Sequence, residues 1–311
     1  MNILLIVNAV ASGVTPRNRS LVEEALRASH DVDVVVTTAR QHACALAGDA
    51  AAAGVDAVVA LGGDGTVNEV ANGLIDSDTA LGVLPGGSTN VFARTLGFSN
   101  RPGTAVRLLV DALAAGSKRR IGVGQADSRS FVFHVGVGFD AAVVQQVEQR
   151  GDLKRWLGHG LFAYGAVATW LRHYDRSRPR FRVHLPDGEV IGDGYFAVFE
   201  ESDPYTFFGP RPFRLVPGTG FDTGLSAVVL RDLSAATLLG ATLAALTGGR
   251  RLSGMGCVAV RPGLDSVRVE GLGPFPWQVD GDFLGDIDSL EITHRPNCLD
   301  VLVPVAAGTG R

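Results

Sequence analysis

The segment Leu61-Gly62-Gly63-Asp64-Gly65-Thr66-Val67-Asn68-Glu69 follows an apolar run and opens a stretch whose apolar face is Val67, Val70, Ala71 and Leu74. Glycines at such a junction let backbone N–H groups close on an anion, and the positive end of the following helix points at the same place. A carboxylate inside that nest, Asp64, reads as a holder of Mg²⁺ beside a triphosphate, directly or through water, with Thr66 capping the helix or touching phosphate. The plainer alternative is a tight strand-to-helix turn with an Asp that tolerates unusual φ/ψ. A second junction, Leu84-Pro85-Gly86-Gly87-Ser88-Thr89-Asn90, follows the next apolar run and offers Ser88 and Asn90 as hydrogen-bonding groups. Ligands of open parallel sheets sit beyond the carboxyl ends of the strands, so the two loops together can line one nucleotide cleft. No Lys follows the glycines, which disfavours a P-loop. Gly122-Val123-Gly124-Gln125-Ala126-Asp127 lacks the third glycine of a dinucleotide fingerprint.

The elements that must position these loops follow from periodicity. Unalternating apolar runs at 3–7, 32–36, 57–61 and 80–84 predict strands covered on both faces. Ala-rich segments at 21–28, 41–53 and 67–74 predict the helices between them, with further helices at 91–96 and 104–115. The order β-α-β-α-β-α-β predicts a mostly parallel sheet between helices. Beyond Gly116 the texture turns to short strands at 122–124, 130–138, 180–184, 194–200, 225–230 and 266–269, spaced by Gly, Pro and Asp turns. The expectation is therefore an α/β domain over 1–117 and a β-rich sandwich or barrel over 118–311, with the tail near 295–311 free to pack on either. The uncharged stretch 233–249 is too short to span a bilayer and predicts a buried helix capped by Ser234.

Composition bounds the class. The chain has 311 residues, 46% of them hydrophobic, enough for two packed domains. A net charge of −4 lacks the basic footprint of nucleic-acid binders. Cys44, Cys257 and Cys298 are too few and scattered for a disulfide framework or a CxxC zinc site, which suits a reducing compartment. Met1 to Val7 is apolar but short and without a basic flank, so it reads as a first strand and not an export signal. Cytoplasm is the expected location.

The pair GGDGTVNEV and LPGGSTNVFAR resembles the catalytic domain shared by diacylglycerol kinases, sphingosine kinases and their bacterial lipid-kinase relatives. The resemblance implies a phosphofructokinase/NAD kinase-like N-terminal α/β domain plus a β-sandwich C-terminal domain, with ATP and a lipid headgroup meeting between them. It implies ATP as co-substrate, Mg²⁺, and diacylglycerol as the leading acceptor ahead of a sphingoid base or another glycerolipid. It carries Gly62, Gly63, Asp64, Gly65, Thr66, Asn68, Glu69, Gly87, Ser88 and Asn90 over as nucleotide-site positions. The family's first loop is matched by Asn8-Ala9-Val10-Ala11-Ser12-Gly13, which supplies Asn8 and Ser12, and Thr37, with Thr38 beside it, fits a threonine that ends the second strand. Pro276-Trp277-Gln278-Val279-Asp280-Gly281-Asp282-Phe283 is similar to the family's late Asp-Gly-Glu motif. Transfer to an alcohol needs a carboxylate near the attacking hydroxyl. The reading places the base on Asp282, with Asp280 orienting the hydroxyl or the metal; the reverse assignment stays open, as does a bare Asp-Gly hairpin turn.

The sequence also departs from the family pattern. Val91 stands where an Asp usually follows Asn90, Arg120 occupies an Asp-x-Gly segment where it would favour phosphate over a cation, and Phe221-Asp222-Thr223-Gly224 keeps one of two acidic positions, leaving Asp222 as a metal candidate. Asp140, in the glycine-rich stretch 133–140, borders the cleft or caps a helix. A soluble-substrate NAD kinase and a nucleotide- and lipid-binding sensor without turnover are the rival readings. The stretch 150–182 interleaves Lys154 and seven arginines with Trp156, Trp170, Tyr164 and Tyr174, among others. That mixture suits a peripheral contact with the inner face of an anionic membrane, or a helix with a solvated basic face. A homodimer is left open.

Overall fold

The structure, a computed structural model, describes residues 1–149 and 159–305, and for 159–163 the backbone only. Two compact units divide the chain, one formed by 1–121 with the tail from 297, the other by 122–296. The first begins β1 (Asn2–Val7), α1 (Pro16–Arg27), β2 (Asp31–Val36), α2 (His42–Ala52), β3 (Ala57–Gly62), α3 (Asp64–Leu74), β4 (Ala80–Pro85), α4 (Val91–Thr95) and α5 (Pro102–Ala115). The four strands are parallel in the order β4-β3-β1-β2. Every residue of β3 and β4 is buried, as their unalternating Val, Ala and Leu require of strands covered by helices on both faces. Pro16 opens α1 at its first turn behind Thr15, whose hydroxyl accepts the Asn18 N–H.

The tail adds a further strand to this sheet. Val301 lies parallel beside Leu81, and the Val303 N–H donates to the Ser117 carbonyl at 3.1 Å. Asp300, nearly buried, gathers Lys118 Nζ at 2.8 Å and Arg120 Nη1 at 3.4 Å. The Arg120 Nε–H also donates to the Asn297 carbonyl at 2.8 Å. Arg120 thus holds the tail beside Ser77 and Asp78, at the amino end of β4, and not at the glycine loops. The expected phosphate role is thereby overturned: a buried carboxylate and carbonyl oxygens already occupy the guanidinium.

The remaining strands follow in chain order, most of their length lying in the second unit. These are β5 (Lys118–Ala126), β6 (Arg129–Phe131), β7 (His134–Gly138), β8 (Phe181–His184), β9 (Val190–Gly194), β10 (Phe196–Glu200), β11 (Thr206–Phe208), β12 (Arg211–Phe213), β13 (Leu225–Leu230), β14 (Val258–Leu264), β15 (Ser266–Val279) and β16 (Asp282–Leu302). Its main run is antiparallel, β14-β13-β10-β7-β15-β16, with β8 and β9 added along β15. Alternation sorts the side chains into two cores. Ala197, Phe199, Ala227 and Val229 join Phe181, Val269 and Ile292 on one face. Val198, Val228 and Leu230 on the other pack under α6 (Phe139–Glu148), Trp170 and Tyr174, and Ala244 and Ala245. The strand-rich second half is as predicted, but helices cover its second face.

Two sequence expectations need correction here. The helix from the uncharged stretch forms as α8 (Ala235–Leu246), after α7 (His159–Ala168), and Ser234 caps it through the Thr237 N–H at 3.2 Å. It is not buried, however: Leu239, Leu243 and Leu246 are 63%, 54% and 43% exposed, because the smaller Ala241, Ala244 and Ala245 take the inward face. Within 150–182, Trp170 and Tyr174 turn inward. Trp170 Nε1–H donates to the Leu233 carbonyl at 2.7 Å and Tyr174 O–H to the Tyr195 carbonyl at 2.7 Å, so neither ring stands at headgroup depth. Lys154 and Trp156 lie outside the described residues. Among the described residues no helix is long and apolar enough to cross a membrane.

Candidate functional site

In the first unit the strands end level, with Val7 beside both Val36 and Leu61 and Gly62 beside Pro85. Chain order reverses between β1 and β3, since β2 lies on one side of β1 and β3 on the other. That is the point at which an open parallel sheet leaves a crevice at its carboxyl edge. Three loops meet there through their backbones. Asn8 N–H donates to the Leu61 carbonyl at 3.0 Å, Gly86 N–H to Gly62 at 2.8 Å, and Gly13 N–H to Gly86 at 2.8 Å. A Cβ on Gly86 would stand 2.8 Å from Gly62 Cα and 2.7 Å from Val14 Cγ2; one on Gly87 would stand 2.8 Å from Gly63 Cα. The glycines are needed because main chain lies against main chain.

Side chains then fix the junction. Asn8 Nδ2–H donates to Thr66 Oγ1 at 2.9 Å, tying the first loop to the first turn of α3. That helix starts at Gly63 without a side-chain cap, which suits N–H groups offered to a ligand. Asp64 sits in its first turn, and its Oδ1 accepts the Phe92 N–H at 3.2 Å. Arg94, half-buried, is close enough to feel the Asp64 charge, which partly offsets the lowering of its pKa by burial. Thr37 directly follows β2 and donates its N–H to the Val7 carbonyl at 2.9 Å, while Ser12 and Ser88 are exposed on their loops. Glycines 62, 63, 65 and 87 and these side chains therefore gather at one edge.

Three of the expected nucleotide residues have other work. Asn90, left-handed and buried, folds back on its own turn: Oδ1 accepts Gly87 N–H at 2.8 Å and Nδ2 donates to the Gly87 carbonyl at 2.9 Å and Asn100 Oδ1 at 2.6 Å. Asn68 is buried on α3 at 1% exposure, and its carbonyl accepts Asn72 Nδ2–H. Glu69 accepts the Ala43 N–H at 3.2 Å, so it caps α2, whose own N-cap Gln41 makes no side-chain bond. Through these contacts the three positions shape the loops.

In the second unit Asp280 and Gly281 form the two-residue turn between β15 and β16, at φ 48 and 83, the pair of positive angles that the strands' twist demands. The Asp280 carboxylate points into the protein and accepts three backbone N–H groups, from Val132 at 2.9 Å and from Phe133 and His134 at 3.0 Å each. Asp282 opens β16 and pairs with Arg129 Nη2 at 2.6 Å. Asp280 lies in the turn and Asp282 on the strand after it, so the two carboxylates do not share a strand face. Asp280 is thus held by the backbone and fixes the turn. Gln278 braces the same turn: its Oε1 accepts Gly281 N–H at 2.8 Å and its Nε2 donates to Asp140 Oδ2 at 2.8 Å. Asp140 also accepts Tyr205 O–H at 2.6 Å, and burial pushes its pKa up to about 6 despite both bonds.

A buried acid–imidazole pair lies near this turn. Glu201 Oε1 and His294 Nδ1 are 2.8 Å apart, and Glu201 is fully buried. Burial raises the Glu201 pKa to about 7 against the lowering by His294, while the Glu201 bond raises that of His294. For Glu201 and Asp140 the folded pKa exceeds the unfolded one, so their stabilisation is full below the unfolded carboxylate pKa and is lost as pH rises through the folded values. Melting temperature is expected to fall between about pH 5 and pH 7.5. Glu201→Gln, which still accepts from His294, should flatten the part of that fall owed to Glu201, on the order of 3 kcal/mol. Calorimetry across the range checks it, and a slope unchanged by the substitution would refute the assignment.

Asp222 is exposed in a turn closed by the Thr223 hydroxyl on Gly220 N–H at 2.9 Å. Among the described residues no three His, Cys, Asp or Glu side chains converge as a metal cage. Sequence reasoning passed over Arg129, Arg94, Tyr205 and Glu148, whose Oε1 accepts the Phe283 N–H at 3.3 Å. Arg94 closes the second glycine motif and lies near Asp64, whereas Arg129, Tyr205 and Glu148 sit in no motif and only long-range contacts bring them to Asp282, Asp140 and the Phe283 N–H.

Comparison with known proteins bears on this geometry. Residues 2–126 match the family described as the diacylglycerol kinase catalytic domain. A probable lipid kinase, YegS-like, of Chromohalobacter salexigens is 36% identical over 190 residues, 60% of this chain and 58% of that protein. The diacylglycerol kinase of Bacillus subtilis is 36% identical over 134 residues, 42% of this chain and 43% of its own length. The chain thus spans roughly half the length of these two relatives in alignment. A further probable lipid kinase, YegS-like, of Pseudomonas fluorescens is 29% identical over 92% of this chain and 90% of that protein. The fold is shared with a putative diacylglycerol kinase of Bacillus anthracis, at a TM-score of 0.75 and 20% identity over 98% of both chains. The glycine loops packed at the sheet edge all lie within residues 2–126, the stretch that matches the diacylglycerol kinase catalytic domain.

Proposed function

We propose that this chain transfers the γ-phosphoryl group of ATP to a lipid hydroxyl, with diacylglycerol as acceptor and phosphatidic acid as product. The observation that carries the reading is the three-loop junction, where Gly13, Gly62 and Gly86 are joined backbone to backbone at the carboxyl edge of a parallel sheet. The first unit binds ATP, its triphosphate against residues 62–66 and the opening of α3, with Arg94 adding positive charge. The donor set there suits Mg²⁺ in its usual mode, one or two carboxylates completed by phosphate oxygens and water. Asp64 would hold it, and the ion would supply charge neutralisation at the phosphates. The second unit takes the lipid. There Asp282 accepts the hydroxyl proton as the hydroxyl oxygen bonds to the γ-phosphorus and the bond to the ADP oxygen breaks. Arg129 holds Asp282 in place at 2.6 Å, and Asp280 fixes the turn. The enzyme works at the cytoplasmic face of a membrane, where the exposed Arg172, Arg176 and Arg178 favour anionic lipid.

Radiolabelled ATP offered with detergent-dispersed diacylglycerol, a sphingoid base or NAD tests this in one experiment. Labelled phosphatidic acid is the expected product. Labelled NADP with no lipid product would replace the acceptor class, and tight ATP binding with no labelled product of any kind would leave a sensor.

A further inference from the structure

We infer that α8 is an interfacial anchor which lays Leu239, Leu243 and Leu246 into an anionic lipid leaflet. The inference rests on the lipid-kinase reading for its choice of partner, and on this helix for its geometry. Positions 239, 243 and 246 fall on one helical stripe, and all three leucines are at least 43% exposed. No charged residue occurs from Leu233 to Gly249, and Arg250 and Arg251, both exposed, follow at once. Asp232, the nearest acid, is held by the Ser234 and Thr237 hydroxyls at 2.6 and 2.5 Å.

The neighbouring segment has the same character. Tyr164, Val167 and Leu171 form a second exposed stripe along α7 and the π-helical turn Thr169–His173, with Arg172, Arg176 and Arg178 exposed beyond it. Trp170 joins the two segments through the Leu233 carbonyl, and Arg176 stacks 4.0 Å over the Trp170 ring. The rim carries Arg172, Arg176, Arg178, Arg250 and Arg251 against Asp175 and Asp232, a net positive border that complements a surface apolar within and anionic at its boundary. A second copy of the chain would bring a like-charged rim against that rim, which opposes association. Among the described residues neither helix is long and apolar enough to cross the bilayer, which suits an in-plane contact.

Flotation of the full chain with phosphatidylcholine vesicles, with and without about a third phosphatidylglycerol, tests the anchor. The parent is expected to float with the anionic vesicles. Leu239→Ser with Leu243→Ser and Leu246→Ser should lower that binding at least about tenfold, and Arg250→Glu with Arg251→Glu should lower it on anionic vesicles alone. Leu272→Ser, at an exposed leucine elsewhere, should bind as the parent does. Unchanged binding by the triple-serine variant overturns the inference. So does a parent that ignores vesicles and sediments as a dimer which the same variant makes monomeric. Activity on detergent-dispersed acceptor separates the two readings: it should match the parent in the triple-serine variant. A parent inactive on every acceptor that still floats through these leucines would fail the kinase reading and keep the anchor.

Discussion

Gly86→Ala is expected to cost about a hundredfold or more in ATP affinity, and to do so without adding or removing any group that touches the ligand. The new methyl would fall 2.8 Å from Gly62 Cα and N and 2.7 Å from Val14 Cγ2, and backbone atoms cannot rotate away. The strain must push the third loop off the second, breaking the Gly86 N–H bond to the Gly62 carbonyl and, through Gly13, loosening the first. Overpacking of this kind costs roughly 1–3 kcal/mol, which a sheet with β3 and β4 wholly buried can absorb without unfolding. Titration calorimetry with ATP reads the affinity, and circular dichroism reads the fold. Gly54→Ala is the control, since nothing lies within 4 Å of a Cβ there, although its φ of +74 makes it mildly strained. A Gly86→Ala protein with parental ATP affinity would remove these loops from the nucleotide site.

The two late aspartates should fail in opposite ways. Asp282→Asn is expected to lower kcat about 10²–10⁴-fold with little change in melting temperature, because it would remove the proposed proton acceptor from a half-buried position and keep the side chain's shape. Asp280→Ala is expected to melt roughly 10 °C lower, since it strands three buried N–H donors at about 1–3 kcal/mol each. Its activity should fall only as far as the turn loosens. Single-turnover rates with saturating ATP, set beside thermal melts of both variants, distinguish the roles. If Asp282→Asn keeps parental kcat while Asp280→Asn loses it in a folded protein, the base is misassigned.

What could be read without coordinates is the part written in local order. Helix and strand periods alternate from Asn2 to Ala115, and the four strands with unbroken Val, Ala, Leu and Ile runs are the four parallel strands of the sheet. The glycine junctions were legible because each follows such a strand and precedes a helix, and a parallel sheet puts all its carboxyl ends on one edge. Ser234 was legible as a cap for the same local reason. In the second unit short strands were found but their partners were not. β15 reads as a few residues in sequence because Gly271, Gly273, Pro274 and Pro276 interrupt its pattern, yet it runs to Val279 against three neighbours.

The amino-acid sequence by itself determined the order of elements, the two glycine junctions and the family to which they point, since these depend on neighbours a few residues apart. Only the tertiary structure decided which carboxylate holds the turn, because the N–H groups that claim Asp280 lie 146 to 148 residues away in the chain. It also decided that Glu69 caps a helix, that Arg120 holds the tail, and that α8 shows its leucines to solvent. Each outcome turns on which distant surface arrives first at a side chain, and backbone donors, a buried Asp300 and a layer of small alanines are the surfaces that did.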